Sequence, residues 1–229
     1  MTRHFHEEIQ NLKQHLLRMA LLVEEGIRKA TEALVERDLE KAQEVIRREQ
    51  EVNHAEIQVD EIGHGLLALD QPVAVDLRRL IMILKINTDL ERMGDHAVNI
   101  AQRAMRAVKE PRHPIDPLIP KMANAASLML KNALDAFIHE DVDMANAVLA
   151  SDDEVDQYGD EIYEKYRALM ESEASAVPFG VDMIMVGYNL ERVADLASNI
   201  AEDTIYIKQG REVRHHHPQP NTDWKPPVV

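Results

Sequence analysis

One motif occurs twice in this chain, and the repeat constrains the fold more than any other feature. Residues 87–101 read NTDLERMGDHAVNIA and residues 187–201 read GYNLERVADLASNIA. Identical residues recur 100 positions apart, among them the pairs Leu90/Leu190, Glu91/Glu191, Arg92/Arg192, Asp95/Asp195, Asn99/Asn199, Ile100/Ile200 and Ala101/Ala201. An internal repeat at this separation predicts two copies of one structural unit.

Each copy has the periodicity of an amphipathic helix. Positions four residues apart lie along one side of a helix, so Glu91, Asp95 and Asn99 form a polar line. The opposite side is apolar and comprises Leu90, Met93, Ala97, Ile100, Ala101 and Ala104. The second copy repeats the polar line with Glu191, Asp195 and Asn199. We therefore predict an acidic line on one helix of each half.

The acidic lines have two interpretations. Acids four residues apart repel each other by a few tenths of a kcal/mol, so their recurrence indicates a use, and a bound cation is the simplest. Hard or borderline cations such as Mg²⁺, Mn²⁺ and iron take carboxylate and amide oxygens as ligands. Alternatively, the lines are ordinary solvated helix faces, with Arg92 and Arg192 holding the acids in structural ion pairs. The residues alone leave both interpretations open.

A second polar stripe precedes the motif in each half. In the first half it contains Glu49, Asn53, Glu56 and Asp60, at steps of four, three and four residues. Asp152 and Asp156 are the counterparts of Glu49 and Asn53, at an offset of 103 residues. If the stripe packs beside the motif helix, each half presents a carboxylate cluster that is open to solvent.

The composition favours a helical fold. Hydrophobic residues make up 45% of the chain but aromatic residues only 4%, which suits helix packing better than a sheet. Asp38 is placed to cap the second helix, and the apolar segment 80–84 (LIMIL) is expected deepest in the core. We predict an all-α chain with helices at about residues 5–36, 39–69, 73–108, 121–138, 142–172 and 179–208.

The repeat and the prolines suggest the domain organisation. We expect two tandem three-helix bundles, each with its own small core, joined by a linker containing four prolines. The tail is rich in proline and lacks periodicity, which predicts disorder, and its three histidines 215–217 suit only adventitious metal binding. The expected bounds are 1–109 for the first bundle, 110–120 for the linker, 121–209 for the second bundle and 210–229 for the tail.

Charge and motif content exclude several function classes. A net charge of −15 disfavours binding to nucleic acid or anionic lipid. There is no cysteine, no signal-peptide pattern and no apolar run approaching the ~18 residues that span a bilayer. The sequence shows no nucleophile with a base and no glycine-rich phosphate loop, so we expect a cytosolic protein that is not an enzyme.

A di-iron protein is the alternative function. Carboxylate-bridged di-iron sites use Glu-x-x-His on two helices of a bundle, and this chain has Glu51-x-x-His54 and Glu61-x-x-His64. Both matches fall on the same helix, which departs from the di-iron pattern. His96 in the motif is replaced by Leu196 in the second copy, so the repeat does not support it as a ligand.

The chain resembles the PhoU family, bacterial regulators of phosphate uptake, over about residues 3–214. The resemblance is carried by Arg3-x-Phe5, by Gln71-Pro72-Val73-Ala74-x-Asp76-Leu77-Arg78, and by DLERMGDHAVNIA and NLERVADLASNIAEDTIYI. Relatives often have His where this chain has Leu196. The family's metal-binding signature corresponds to Glu91/Asp95 and Glu191/Asp195.

The resemblance implies more than the spacing does. Proteins similar to PhoU are two three-helix bundles that commonly form homodimers and carry iron, zinc, manganese or magnesium at the paired motifs. They are negative regulators of the phosphate-starvation response. They link the phosphate-specific ABC transporter, expected to be contacted through its ATPase subunit, to a sensor histidine kinase, and they restrain uptake. The implied location is the cytoplasm, peripheral to the inner membrane.

Overall fold

The computed structural model describes residues 3–109, 113–211 and 213, and this part of the chain contains helices and no strand. The helices are α1 (Arg3–Glu36), α2 (Leu39–Asp70), α3 (Ala74–Ala107), α4 (Leu118–His139), α5 (Val142–Ser172) and α6 (Val177–Gln209), with a 3₁₀ turn at Ala174–Ala176. The all-α prediction is confirmed. Helix α4 begins three residues earlier than predicted, inside the expected linker. Residues 110–112 and histidines 215–217 lie outside the described residues.

The α1–α2 and α4–α5 turns show the repeat in backbone detail. Asp38 caps α2, its Oδ1 accepting from the backbone amides two and three residues on at 2.9 and 3.0 Å, which confirms the predicted cap. Asp141 caps α5 in the same way, at 3.0 Å for both amides. The preceding residues, Arg37 and Glu140, are both left-handed, with φ of 57° and 49°. The two halves therefore use one turn, 103 positions apart.

The left-handed residues are held by long-range contacts. A residue other than glycine loses roughly 1 kcal/mol or more in this conformation. The Arg37 guanidinium donates to the carbonyl oxygens of Ala107 and His113. Glu140 accepts from Arg79 at 2.8 Å (Nε) and 3.1 Å (Nη2). Each turn is thus tied to an end of α3, and these contacts offset the local strain.

Helices α3 and α6 form the centre of the molecule and run antiparallel. Near the start of α3, Lys85 Nζ donates to both carboxylate oxygens of Asp203 at 2.6 and 2.8 Å, and Asp203 is completely buried. Near the end of α3, Arg103 Nη1 lies 2.8 Å from Asp182 Oδ1. These charged contacts fix the register of the two halves along the shared interface.

The core is continuous across both halves. The buried apolar residues of all six helices belong to one connected cluster, so the cores of the two halves meet, and the division into two bundles stays a prediction. The segment 80–84 lies deep only on one side, because Leu80 and Ile83 are fully buried whereas Ile81 is 44% exposed. The expectation that this segment lies deepest in the core is met on one side of α3, whereas the side that carries Ile81 meets solvent. None of the helices in the described ranges is apolar enough over a sufficient length to cross a membrane.

Candidate cation-binding clusters

The first predicted acidic line lies at the seam between α2 and α3. Leu90 and Met93 are fully buried, while Glu91 is half-buried and Asp95 is exposed. Burial raises the pKa of Glu91, and the neighbouring carboxylates of Asp95, Glu56 and Glu49 raise it further. The structure therefore brings Glu49 and Glu56 of α2 close to the motif acids of α3, as the stripe predicted.

Glycine and valine set the close approach of α2 to α3. A side-chain carbon at Gly94 would lie 3.2 Å from a methyl group of Val52, so the two helices meet directly at this point. Val52 and Val59 are buried in the same seam, and their position directs Glu49 and Glu56 along its edge. The cluster is thus placed by apolar packing beneath it.

The second acidic line forms an equivalent cluster between α5 and α6. Burial raises the pKa of Glu191, and Asp156, Asp195 and Asp160 raise it further. Burial also raises the pKa of Asp152, to about 6, with Asp156 and Asp195 as the next causes. The pKa of Asp156 is raised by burial and then by Asp195. These carboxylates repel one another at ordinary pH, which a bound cation would relieve.

A glycine lets α5 approach the acids of α6. A side-chain carbon at Gly159 would lie 3.2 Å from Glu191 Oε2. Beside it, Ser198 approaches Asp152 and opposes the upward shift in the pKa of that carboxyl. Within the described residues, however, the buried Oδ1 of Asp152 and the buried Oγ of Ser198 lack a well-formed hydrogen bond. Two oxygen atoms in this seam are therefore left without a partner of good geometry.

The remaining predicted ligands are placed less centrally. Asp60 lies one turn further along α2, where its Oδ1 accepts from Asn87 Nδ2 at 3.0 Å. Asn53 and Asn99 are exposed and Asn199 is half-buried, and their roles stay predictions. Asp160 was not among the predicted ligands, because the 103-residue offset pairs it with Ile57 instead of an acid. The 103-residue counterpart of Glu56 is Gly159, and Asp160 is the residue directly after it. The sequence therefore signals Asp160 only if a shift of one position is allowed.

The clusters suit a cation by donor chemistry and are not preformed around one. Across residues 3–109 and 113–211, no three histidine, cysteine, aspartate or glutamate side chains already surround a single ion-sized position. The donors gathered in each seam are oxygens, which Mg²⁺, Mn²⁺ and iron accept, whereas Zn²⁺ more often takes nitrogen or sulfur. The orphaned Oδ1 of Asp152 and the carboxylates around Glu191 are the kind of donor that such an ion takes, so the residues present fit it by chemistry.

The motif arginines behave differently in the two halves. Arg192 Nη1 lies 2.6 Å from Asp195 Oδ2, a direct ion pair inside the second cluster. The ion pair of Arg92 is with Asp89 Oδ1 at 3.8 Å, and the charge of Arg92 also opposes the upward shift in the pKa of Glu91. The alternative in which a motif arginine holds a motif acid in a structural ion pair thus applies to Asp195 of the second cluster.

The histidines lie away from both clusters. Glu51, His54, Glu61 and His64 are all exposed on α2, and His54 Nε2 lies 3.1 Å from the side chain of Gln58. His96 Nδ1 lies 2.8 Å from Asn189 Oδ1 in the interface between α3 and α6. These positions do not favour a di-iron centre built on the Glu-x-x-His pairs.

The fold and its clusters define the chain as a duplicated three-helix protein with an oxygen-rich seam in each half. Comparison with known proteins gives the family: the model of the PhoU domain matches residues 16–104 and again 119–204. The chain therefore belongs to the PhoU family, as its motifs predicted.

Curated relatives match along nearly the whole chain. The phosphate-specific transport system accessory protein PhoU homolog of Clostridium acetobutylicum is 35% identical over 215 residues, which cover 93% of this chain and 98% of that protein. The homolog of Pseudomonas aeruginosa is 36% identical over 217 residues, 94% of this chain and 89% of that protein.

Solved structures share the fold. The crystal structure of PhoU from Pseudomonas aeruginosa superposes with a TM-score of 0.87 at 34% identity and covers 90% of this chain and 100% of that one. The phosphate transport system regulatory protein PhoU from Streptococcus pneumoniae gives 0.86 at 31% identity, covering 91% and 99%. These matches confirm the six-helix, duplicated architecture.

Proposed function

We propose that this protein is an accessory regulator of phosphate-specific transport that restrains the phosphate-starvation response. The observation that carries the proposal is the end-to-end match, in sequence and in fold, to accessory proteins of the phosphate-specific transport system. On this proposal the protein links the transporter, through its ATPase subunit, to a sensor histidine kinase. It keeps the kinase inactive when phosphate is plentiful.

The architecture supports a docking role rather than catalysis. The long helices present wide faces, and the motif acids lie in open seams with no nucleophile and base set against each other in the motif. Partner binding at such faces needs no chemical step, and we propose that the protein is not an enzyme. It acts in the cytoplasm as a homodimer and reaches the inner membrane through its partners.

Metal ions at the two seams form the second part of the proposal. The ligands proposed are Glu91 and Asp95 in the first half and Glu191 and Asp195 in the second, each with acids of the preceding helix. Bound cations would supply positive charge that offsets the mutual repulsion of these carboxylates. The chain's own part is to hold α2 beside α3 and α5 beside α6, so that ion binding changes the angle of each helix pair.

The interface between α3 and α6 connects the two seams structurally. Helices α3 and α6 carry the motif acids on their outer sides and the Lys85–Asp203 and Arg103–Asp182 contacts on their inner sides. Because both helices are long and pack in one core, we propose that a tilt at either seam reaches the other half through this interface.

Deletion of the gene tests the regulatory role. In phosphate-rich medium the deletion strain should show raised alkaline phosphatase, since the kinase would lose its restraint. Tagged protein recovered from membranes should bring the transporter ATPase and the kinase with it. Unchanged phosphatase levels, together with recovery of neither partner, would contradict the proposal.

Metal binding is tested separately on chelator-treated protein. Stoichiometric uptake of Mn²⁺ or iron should fall by half when Glu91→Gln and Asp95→Asn are combined, and likewise for Glu191→Gln with Asp195→Asn. Uptake that survives in the chain carrying all four substitutions would place the metal elsewhere.

A further inference from the structure

The two seams differ in how the motif arginine is held. Arg192 makes a direct ion pair with Asp195 at 2.6 Å, whereas Arg92 is 61% exposed and its ion pair, with Asp89, is long at 3.8 Å. Arg92 and Arg192 are equivalent positions of the repeat, and so are Asp95 and Asp195. The identity of the residues at these two positions therefore does not explain the difference.

One substitution between the halves accounts for it. Asp89, three residues before Arg92, supplies a negative charge on the arginine's own helix. The equivalent residue of the second half is Asn189, which is neutral. Its carboxamide is already engaged, since Nδ2 donates to the carbonyl of Met185 at 2.6 Å and Oδ1 contacts the His96 ring at 2.8 Å. Without an acid at that position, Arg192 turns towards Asp195 instead.

We infer that Arg192 is an internal counter-ion that competes with cations for Asp195 in the second cluster, whereas Arg92 in the first cluster is paired with Asp89 and competes less. The inference rests on the metal sites of the proposed function and concerns their control. To engage a cation, Asp195 must exchange its contact with the guanidinium, and the cost of that exchange lowers the affinity of the second cluster.

Donor number does not separate the two seams. The second seam gathers Asp152, Asp156, Asp160, Glu191 and Asp195, and the first gathers Glu49, Glu56, Asp60, Glu91 and Asp95. Carboxylates crowd both seams, so the test isolates the arginine.

The experiment compares matched arginine variants in the full chain, with free Mn²⁺ followed by its paramagnetic resonance signal. Each cluster is first isolated by disabling the other, using Glu91→Gln/Asp95→Asn or Glu191→Gln/Asp195→Asn. Arg192→Gln is then introduced where only the second cluster remains. Arg92→Gln, where only the first remains, is the control, because it removes the same charge from the equivalent position.

Arg192→Gln should raise the Mn²⁺ affinity of the second cluster, and Arg92→Gln should raise that of the first cluster less. The gain from Arg192→Gln should be roughly two- to fivefold the larger, which is the range expected for an exposed ion pair. With Asp89→Asn, Arg92 should turn to Asp95 and weaken the first cluster by a similar factor. Circular dichroism of each variant confirms that the helices are retained.

Three results decide the matter. A larger gain for Arg192→Gln than for Arg92→Gln supports the competition. Equal gains overturn it, because they show only the general repulsion between an arginine and a cation. If neither isolated cluster binds Mn²⁺, the metal part of the proposed function fails together with this inference, and the regulatory role is judged by the deletion strain alone.

Discussion

Asp152 should destabilise the metal-free protein at neutral pH, and replacing it with asparagine should make that protein more stable. The carboxyl is half-buried between α5 and α6, and its pKa is raised from 3.8 to about 6 by burial and by Asp156 and Asp195. Its charged form is therefore disfavoured in the folded chain. An asparagine side chain has nearly the same shape and carries no charge.

The size of the effect follows from the two pKa values. Each unit of difference between folded and unfolded chain is worth about 1.4 kcal/mol, so a pKa of about 6 against 3.8 corresponds to at most about 3 kcal/mol. Asp152 is partly exposed, and solvent screening reduces this to roughly 1 kcal/mol. Because the folded pKa is raised, the stabilisation by protonation is complete below pH 3.8 and is lost as the pH rises through about 6.

Urea unfolding of chelator-treated protein measures the prediction. At about pH 7.5, Asp152→Asn should raise the free energy of unfolding by about 1 kcal/mol, and the gain should shrink towards zero near about pH 4. Glu161→Gln, at an exposed acid on the same helix whose charge is not among those that shift the pKa of Asp152, is the control and should stay within about 0.5 kcal/mol of the parent. A loss of stability at the higher pH, or a gain that does not change with pH, would refute the electrostatic account.

Two further changes probe the central interface and the second seam. Lys85→Met removes the cation that contacts both oxygens of the buried Asp203 carboxylate. The free energy of unfolding in urea should fall by roughly 3 kcal/mol, because a buried charge is left without its partner. A fall of less than about 1 kcal/mol would show that the pair contributes little. Gly159→Ala should add up to about 1 kcal/mol of helix stability but weaken Mn²⁺ binding, because the new methyl group displaces Glu191. Gly65→Ala, which has open space around it, is the control and should leave Mn²⁺ binding unchanged. Equal Mn²⁺ binding by both variants would show that the methyl group does not displace Glu191.

Local signals made much of the fold predictable. The caps at Asp38 and Asp141 follow from short-range hydrogen bonding, and the helix bounds follow from apolar periodicity. The pairing of the acidic stripes was also accessible, because each stripe borders the apolar face that must be buried. These features depend on residues close in sequence, or on the repeat.

The contacts between the halves were not accessible in the same way. Lys85 and Asp203 are separated by 118 residues. The periodicity of α3 points Lys85 to a different acid, Asp89, four residues further along the same helix. Ile81 belongs to an apolar run, and only the packing of α3 shows that its side faces solvent. Arg92 and Arg192 have different partners, and which acid an arginine contacts depends on side-chain geometry that the sequence does not show.

The charges of the central interface explain why the two halves pair with each other instead of each pairing with its own copy. Arg103 and Asp203 are equivalent positions of the repeat, yet they carry opposite charges. If α3 packed antiparallel against a second α3 in this register, Lys85 would face Arg103, and two α6 helices would bring Asp182 against Asp203. Juxtaposed like charges disfavour such wrong partners by several kcal/mol. Divergence of the repeat has thus placed cations on α3 and anions on α6, which makes the observed pairing of unlike halves the favourable one.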